Sequence, residues 1–363
     1  MVLSLLPLFN DLAYFEAESE TLSKASLTAV GQYMIHSSVT NFDRIVEHVQ
    51  TTSAIVDIVI DIDDISIDQR IQILDAGAAK IIVSKGQLSE LSDVPAERLV
   101  ARLSEDQLAT PAGIEEMADR VAGIIIDSSY TISVDPESLK SIVTSLRKST
   151  LSNGVEKTVY LQYTDTTPPP TIAELKSLVL LSICPILPQP YLTSNPKENQ
   201  SLLSVAQIVL LPAKTDRPDG LFATVVVDEH GVALGLVYSS PESIAESIRT
   251  GTGVYQSRAR GLWYKGATSG ATQQIVGMDW DCDSDCLRFT VKQAGKGTPI
   301  FSVSHKYRVL PPGADELLWP IERSVTLGRD FEITARNCTQ GILCQSIILR
   351  SITVAFENNG GGR

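Results

Sequence analysis

The stretch Ala54-Ile-Val-Asp-Ile-Val-Ile60, then Ile65 to Ala76, then Lys80-Ile-Ile-Val-Ser84, decides the fold of the first half of the chain. The first and third segments are short apolar runs rich in β-branched residues, which suits buried strands. The middle segment has helical spacing and closes near Gly77, a residue suited to the end of a helix. Strand, helix and strand in this order predict parallel pairing. Working outward, Val121-Ala-Gly-Ile-Ile-Ile-Asp127 and Thr158-Val-Tyr-Leu-Gln-Tyr163 repeat the theme. Residues 1–200 therefore read as an α/β domain with a parallel sheet, either barrel-like or doubly wound. They hold no glycine-rich phosphate loop and no evident catalytic set. His36 and His48 read as isolated structural histidines. A scaffold is the expected role.

Pro188 to Asn199 is rich in proline, serine and asparagine and reads as a loop or linker. A second domain, 204–297, begins near Ser204. Leu221 to Val227 and Val232 to Tyr238 read as strands joined by a turn at Asp228-Glu-His-Gly231, with His230 a turn residue. A helix follows, with Ser240 as N-cap, Pro241 at its first position and Gly251 past its end. Val254 to Ser257, Leu262 to Tyr264, Gln273 to Met278 and Leu287 to Lys292 read as further strands. The domain is expected to be small and α+β.

A length of 363 residues suits two or three domains, and 43% hydrophobic residues allow a sizeable core. The net charge is −13, with no basic stripe, so nucleic acid is not an expected partner. Five scattered cysteines do not form a disulfide framework, and Cys184, in an apolar run, reads as a small core residue. There is no basic n-region ahead of the first apolar residues and no transmembrane run of about 20 apolar residues. The expectation is a cytoplasmic protein without a membrane partner.

The chemistry concentrates in Trp280-Asp281-Cys282-Asp283-Ser284-Asp285. In an extended segment, alternate side chains share a face. Asp281, Asp283 and Asp285 would then face one way and Cys282 the other. Carboxylates suit Mg²⁺ and a thiolate suits Zn²⁺, so one short strand could hold two metals back to back. A calcium loop of the EF-hand type requires Gly and Glu where this chain has Cys286 and Lys292, and is excluded. Taken alone, the triplet is better read as a solvated acidic turn, because so short a motif is weak.

Its surroundings make it stronger. The ordered stretches are Thr215-Asp-Arg-Pro-Asp-Gly220, Leu234-Gly-Leu-Val-Tyr-Ser-Ser240, Gly253-Val-Tyr-Gln-Ser-Arg-Ala-Arg260, Leu262-Trp-Tyr-Lys-Gly266, Thr268-Ser-Gly270, Gln273 and the triplet. Together they resemble phosphoribosyl-AMP cyclohydrolase, an enzyme of histidine biosynthesis, most closely the version in the fungal trifunctional histidine biosynthesis protein. The resemblance implies a hydrolase of amino-acid biosynthesis, within a multifunctional enzyme, that opens the adenine ring of phosphoribosyl-AMP. It implies a zinc-activated water of pKa about 7, with Cys282 as one zinc thiolate and two more from a later Cys-His motif. It implies magnesium at Asp281, Asp283 and Asp285. Arg258, Lys265, Ser269 and Gly270 fall in stretches expected to hold substrate; without the resemblance, the basic ones read as an ordinary solvated face. No general acid or base is assigned. The family site forms between two subunits, which implies a homodimer. Ala267 and Ala271 depart from the pattern, since many members carry Glu and His there.

The resemblance stops after Gly297. Thr298, Pro299 and Ile300 stand where the Cys-His motif should start, and Cys338 and Cys344, with Thr339 after the first, are poor substitutes. With permitted codons and a one-nucleotide shift, Val303 to Pro311 can encode Cys-His-Thr-Asn-Thr-Ala-Cys-Cys, which has the zinc motif's pattern. In the same frame, Gly328 to Ser351 can encode a run containing Lys-Gly-Ser-Tyr-Ala-Asn-Arg-Leu. That run resembles the start of the phosphoribosyl-ATP pyrophosphohydrolase domain, which comes next in the fungal protein. A frameshift or misplaced splice junction between Gly297 and Val303 is inferred, leaving 298–363 as an aberrant, poorly ordered tail and the cyclohydrolase impaired. The alternatives are a non-catalytic nucleotide-binding module, and an active enzyme that recruits Cys338 or Cys344.

Overall fold

The computed structural model describes residues 5–16, 21–104, 119–131, 136–147 and 157–295, single positions between 105 and 118, and the backbone of 323–326 and 332–335. Eight strands form the first architecture: β1 (Leu6–Phe9), β2 (Gln32–Ser37), β3 (Asp57–Ile62), β4 (Lys80–Val83), β5 (Leu99–Arg102), β6 (Gly123–Asp127), β7 (Thr158–Gln162) and β8 (Ile183–Pro188). They pair in chain order, all in parallel, and β8 returns to β1 through Leu6 and Ile186, closing a barrel. Of the two parallel arrangements the sequence allows, this is the barrel.

Alternate residues point inward. Leu8, Met34, Val59, Val100, Tyr160 and Ile186 fill the interior, so it is a packed core rather than a pore. Cys184 lies among them, 1% exposed, and burial pushes its thiol well above the ordinary range. It is the core residue expected of it. The helix between β3 and β4 runs Ile67–Asp75, capped by a reciprocal pair in which Ser66 and Gln69 satisfy each other's backbone amides. Strand β3 starts three residues later than the apolar run, because the preceding Phe42–Thr52 helix and a turn take up Ser53 to Val56. His48 meets the Tyr33 hydroxyl at 2.7 Å and is structural, as expected. His36 is not isolated: its Nδ1 lies 3.0 Å from the buried Asp61 carboxylate.

The linker holds β9 (Leu192–Thr193), which pairs in parallel with β10 (Leu203–Ser204), and Ser204 caps a short Val205–Val209 helix. A four-stranded sheet follows, built from β11 (Phe222–Val227), β12 (Ala233–Ser239), β15 (Gln273–Trp280) and β16 (Cys286–Gln293) in the order β12-β11-β16-β15. Between them, β13 (Val254–Ser257) and β14 (Gly261–Tyr264) form an antiparallel hairpin. The Pro241–Thr250 helix is capped by Ser240 and ends at Gly251 in a left-handed conformation, as expected. This part is α+β.

The barrel and this sheet, apart from the start of β12, belong to one compact unit, residues 1–231 with 236–295. The barrel's Lys24–Val30 helix packs on β15 and on the Pro241–Thr250 helix. A Cβ at Gly251 would lie 2.5 Å from the Ala25 Cβ, so the two helices approach closely there. The tail from Thr298 lies outside the described residues except for an antiparallel ribbon, β17 (Arg323–Thr326) with β18 (Glu332–Ala335). Among the described residues, no helix is long and apolar enough to cross a membrane.

Candidate metal centre and substrate surface

Strand β15 ends at Trp280 and β16 begins at Cys286, so Asp281 to Asp285 is the connection of a hairpin. This corrects the extended geometry expected of it. Ser284 takes φ +65°, which no strand tolerates. The Asp281 carboxylate accepts from the Asp285 and Cys286 backbone amides at 3.1 and 3.3 Å, and its own N–H donates to the Cys286 carbonyl at 3.1 Å. An aspartate that bonds its own backbone a few residues on is a turn former.

The turn still gathers the carboxylates. Oxygens of Asp281, Asp283 and Asp285 lie within 4.8 Å of one another. Among the described residues, this is the one group of three acidic, histidine or cysteine side chains that converges so closely. Cys282 is exposed and belongs to no such group of three among those residues. Cys338 and Cys344 lie outside them. Partial burial, then the charges of Asp281 and Asp283, raise the Asp285 carboxyl to about 6. Burial, then Asp281, push the neighbouring Cys286 thiol up to about 12, so it is chemically quiet.

The Thr215–Gly220 stretch is a self-braced loop beside the turn. Arg217 grips Asp219 at 3.0 and 2.7 Å and stacks 4.3 Å from the Tyr238 ring centre. The Lys214 amide donates to the Ser284 carbonyl at 2.8 Å and ties the two loops together.

Arg258 and Arg260 are exposed at the tip of the β13–β14 hairpin. The Lys265 amide donates to the Gly253 carbonyl at 2.9 Å, and its ammonium lies 5.8 Å from the Trp263 ring centre. Gly266 has φ +84°, and a Cβ there would meet the Ala271 backbone at 2.3 Å, so only glycine fits. The Gly270 amide closes the turn onto the Gly266 carbonyl at 2.8 Å, and Ser269 Oγ accepts from the Ala271 amide at 3.3 Å. Ala271 is buried in this turn and Ala267 is exposed. Behind it, the Tyr255 hydroxyl donates to Gln273 at 2.7 Å, and Gln273 donates to Gln293 at 3.0 Å.

Lys265, Ser269 and Gly270 thus share one turn at the Gln273 end of β15, and the carboxylates follow its Trp280 end. Seven residue steps at about 3.3 Å separate these ends by roughly 23 Å. Each cluster is assembled within a chain; the two clusters are not joined to each other there. The sequence shows no periodic signal for this separation, which comes from the length of β15.

The family model for phosphoribosyl-AMP cyclohydrolase matches residues 235–300. The chain is 41% identical over 297 residues to the histidine biosynthesis bifunctional protein of Schizosaccharomyces pombe, covering 81% of this chain and 69% of that protein. It is 40% identical over 239 residues to the histidine biosynthesis trifunctional protein of Neurospora crassa, covering 64% of this chain and 25% of that one. It is 39% identical over 102 residues to a phosphoribosyl-AMP cyclohydrolase of Lacticaseibacillus paracasei, covering 28% of this chain and 93% of that enzyme. The chain therefore spans about a quarter of the trifunctional relative.

Proposed function

The chain belongs to the phosphoribosyl-AMP cyclohydrolase family, and from that premise we propose that its 204–297 region hydrolyses the adenine ring of phosphoribosyl-AMP, a cytoplasmic step of histidine biosynthesis. The observation that carries the reading is the convergence of Asp281, Asp283 and Asp285 inside the segment that the family model matches. Three hard oxygen donors on a tight turn fit Mg²⁺. Bound there, it would supply positive charge that polarises an attached oxygen. The carboxylates themselves neutralise it, and Asp281 holds the turn so that all three stay aligned. Arg258 and Lys265 supply cationic contacts for the substrate phosphate against a net charge of −13. The open surface at Gly270, where a Cβ would meet nothing within 4 Å, lets the substrate approach the turn closely.

Zinc does not fit the described residues. A catalytic zinc site keeps three protein ligands, and of the three expected thiolates only Cys282 lies among the described residues. The incomplete set supports the reading that this chain is impaired and that its reading frame departs from the family near Gly297. The end of the family match at residue 300 supports the same reading. It also favours a second reading, a module that binds the nucleotide without turnover.

A homodimer is supported by the roughly 23 Å between the substrate turn and the carboxylates. The exposed apolar side chains of Leu262 and Tyr264 on the hairpin support it too.

The test is to repair the frame after Gly297 and compare zinc content and turnover of the two proteins. The repaired protein should gain zinc and activity together, and Cys282→Ser in it should abolish both. Zinc-dependent turnover by the unrepaired chain would show that the ligand assignment is wrong. Genomic sequence lacking the Cys-His motif in every frame would remove the frameshift and leave the binding module.

A further inference from the structure

The C-terminal rim of the barrel carries a polar layer that the cyclohydrolase reading does not use. Above the apolar interior, the next inward positions are His36 on β2, Asp61 on β3, Arg102 on β5 and Gln162 on β7. Arg102 donates to Asp61 at 2.6 Å and to Gln162 at 2.7 Å. Neither β3 nor β7 neighbours β5, so these side chains meet across the barrel interior. His36 turns its Nδ1 to the same Asp61 oxygen at 3.0 Å. Asn10, just past β1, donates to Asp165, just past β7, at 2.6 Å. All of them sit at the C-terminal ends of parallel strands, the end at which barrels of this type carry their sites.

Above this layer, at the β1, β2 and β3 ends, opens a cavity of about 490 Å³ lined by Asn10, Asp11, His36, Ser37, Asp63 and Asp64 among others. That volume falls in the usual small-molecule range. The Asp61 side chain is only 7% exposed while that of His36 is 40% exposed. Asp61 thus fixes the imidazole from behind and leaves Nε2 as its free ring atom. A buried charge network contributes less stability than apolar packing, and the layer beneath shows that this barrel fills with apolar side chains. Packing alone does not account for the layer.

The lining selects the ligand class. Among the described lining residues, Asp11, Asp63 and Asp64 outnumber the one titratable cation, His36, which disfavours a phosphate. Carboxylate, carboxamide and hydroxyl groups together suit a molecule rich in hydroxyls, whose O–H groups donate to the aspartates. We propose that the barrel mouth binds an uncharged small molecule that carries vicinal hydroxyls, for which D-ribose serves as the probe.

The test is titration of the full chain with D-ribose and with ribose 5-phosphate, followed by ligand-observed NMR. Ribose should bind saturably and ribose 5-phosphate more weakly. Asp63→Asn, at an exposed position, should weaken ribose about tenfold, equivalent to losing about 1.4 kcal/mol. His36→Gln should weaken it too, with thermal midpoints recorded to confirm folding. Glu229→Gln, on the exposed turn between β11 and β12, should change nothing. Absent ribose binding, binding insensitive to both barrel variants, or equal or tighter binding of ribose 5-phosphate that those variants weaken would each overturn the proposal. A purely structural network predicts lower thermal stability in His36→Gln and no ribose binding in the parent.

Discussion

The contact between the barrel and the cyclohydrolase sheet can be measured at one atom. Gly251 ends the Pro241–Thr250 helix at φ +67°, and Gly31 ends the Lys24–Val30 helix at φ +81°. Alanine at either position meets the left-handed penalty, about 1 kcal/mol. At Gly31 the new methyl would find nothing within 4 Å. At Gly251 it would lie 2.5 Å from the Ala25 Cβ and 3.5 Å from its Cα. A methyl fixed to a helix backbone cannot rotate away. Carbon contacts settle near 3.5–4.0 Å, so the Lys24–Val30 helix must retreat by about 1 Å. Overpacking of that kind costs about 1–3 kcal/mol. Gly31→Ala is therefore expected to destabilise by about 1 kcal/mol and Gly251→Ala by about 2–4 kcal/mol. Adding Ala25→Gly to Gly251→Ala should recover most of the difference, and urea unfolding of these variants, of Ala25→Gly alone and of the parent completes the cycle. Equal costs at the two glycines, within about 0.5 kcal/mol, would refute the close approach and with it the docking of barrel on sheet.

Asp283→Asn should weaken Mg²⁺ binding at least about tenfold in calorimetry, since it removes one of three converging carboxylates; unchanged affinity would place the cation elsewhere. The Arg249 guanidinium, with a hydrogen bond from Tyr264, lowers the Glu246 carboxyl from its ordinary 4.5 to about 2. A depressed carboxyl stabilises the fold above its unfolded pKa, and this is lost as pH falls through about 2. Tyr264→Phe should raise the folded pKa toward 4.5, so its stability deficit should be full at pH 7 and shrink toward pH 2. A deficit constant across that range would show that the hydroxyl does not act through Glu246.

Four barrel strands, β3, β4, β6 and β7, were legible because they are short, doubly buried apolar runs that needed only trimming at their ends, whereas β1, β2, β5 and β8 were not read as strands. Barrel closure was not legible, because it depends on β8 finding β1 across the whole domain. The acidic triplet was found by composition, but its mechanism of convergence was misread. An alternating pattern suggests a pleat, and nothing local reveals that Ser284 adopts a positive φ that turns the chain. The polar layer at the barrel mouth was missed for a different reason. His36, Asp61, Arg102 and Gln162 are each the last inward residue of a strand, so the signal is a shared register across four segments rather than a motif. Reading the polar residue two places beyond the last inward apolar one on each strand would have found all four.

Strand β15 links these readings. It is the only described segment joining the substrate turn directly to the acidic turn, and both ends are fixed: one by Gly266 against Ala271, the other by Asp281 over Asp285 and Cys286. Bending it enough to unite them would break its ladder with β16, which runs from Gln273 to Trp280. The proposed two-fold partner removes the need to bend. An axis crossing near the middle of β15 would bring the Gln273 end of one copy toward the Trp280 end of the other, and by symmetry do so twice. Each site would then take its cationic turn from one chain and its carboxylates from the other. On this reading, a fault that spoils one end of β15 leaves the other end intact for a partner, and the end of β16 at Gln293, paired with Gln273, lies beside the substrate turn.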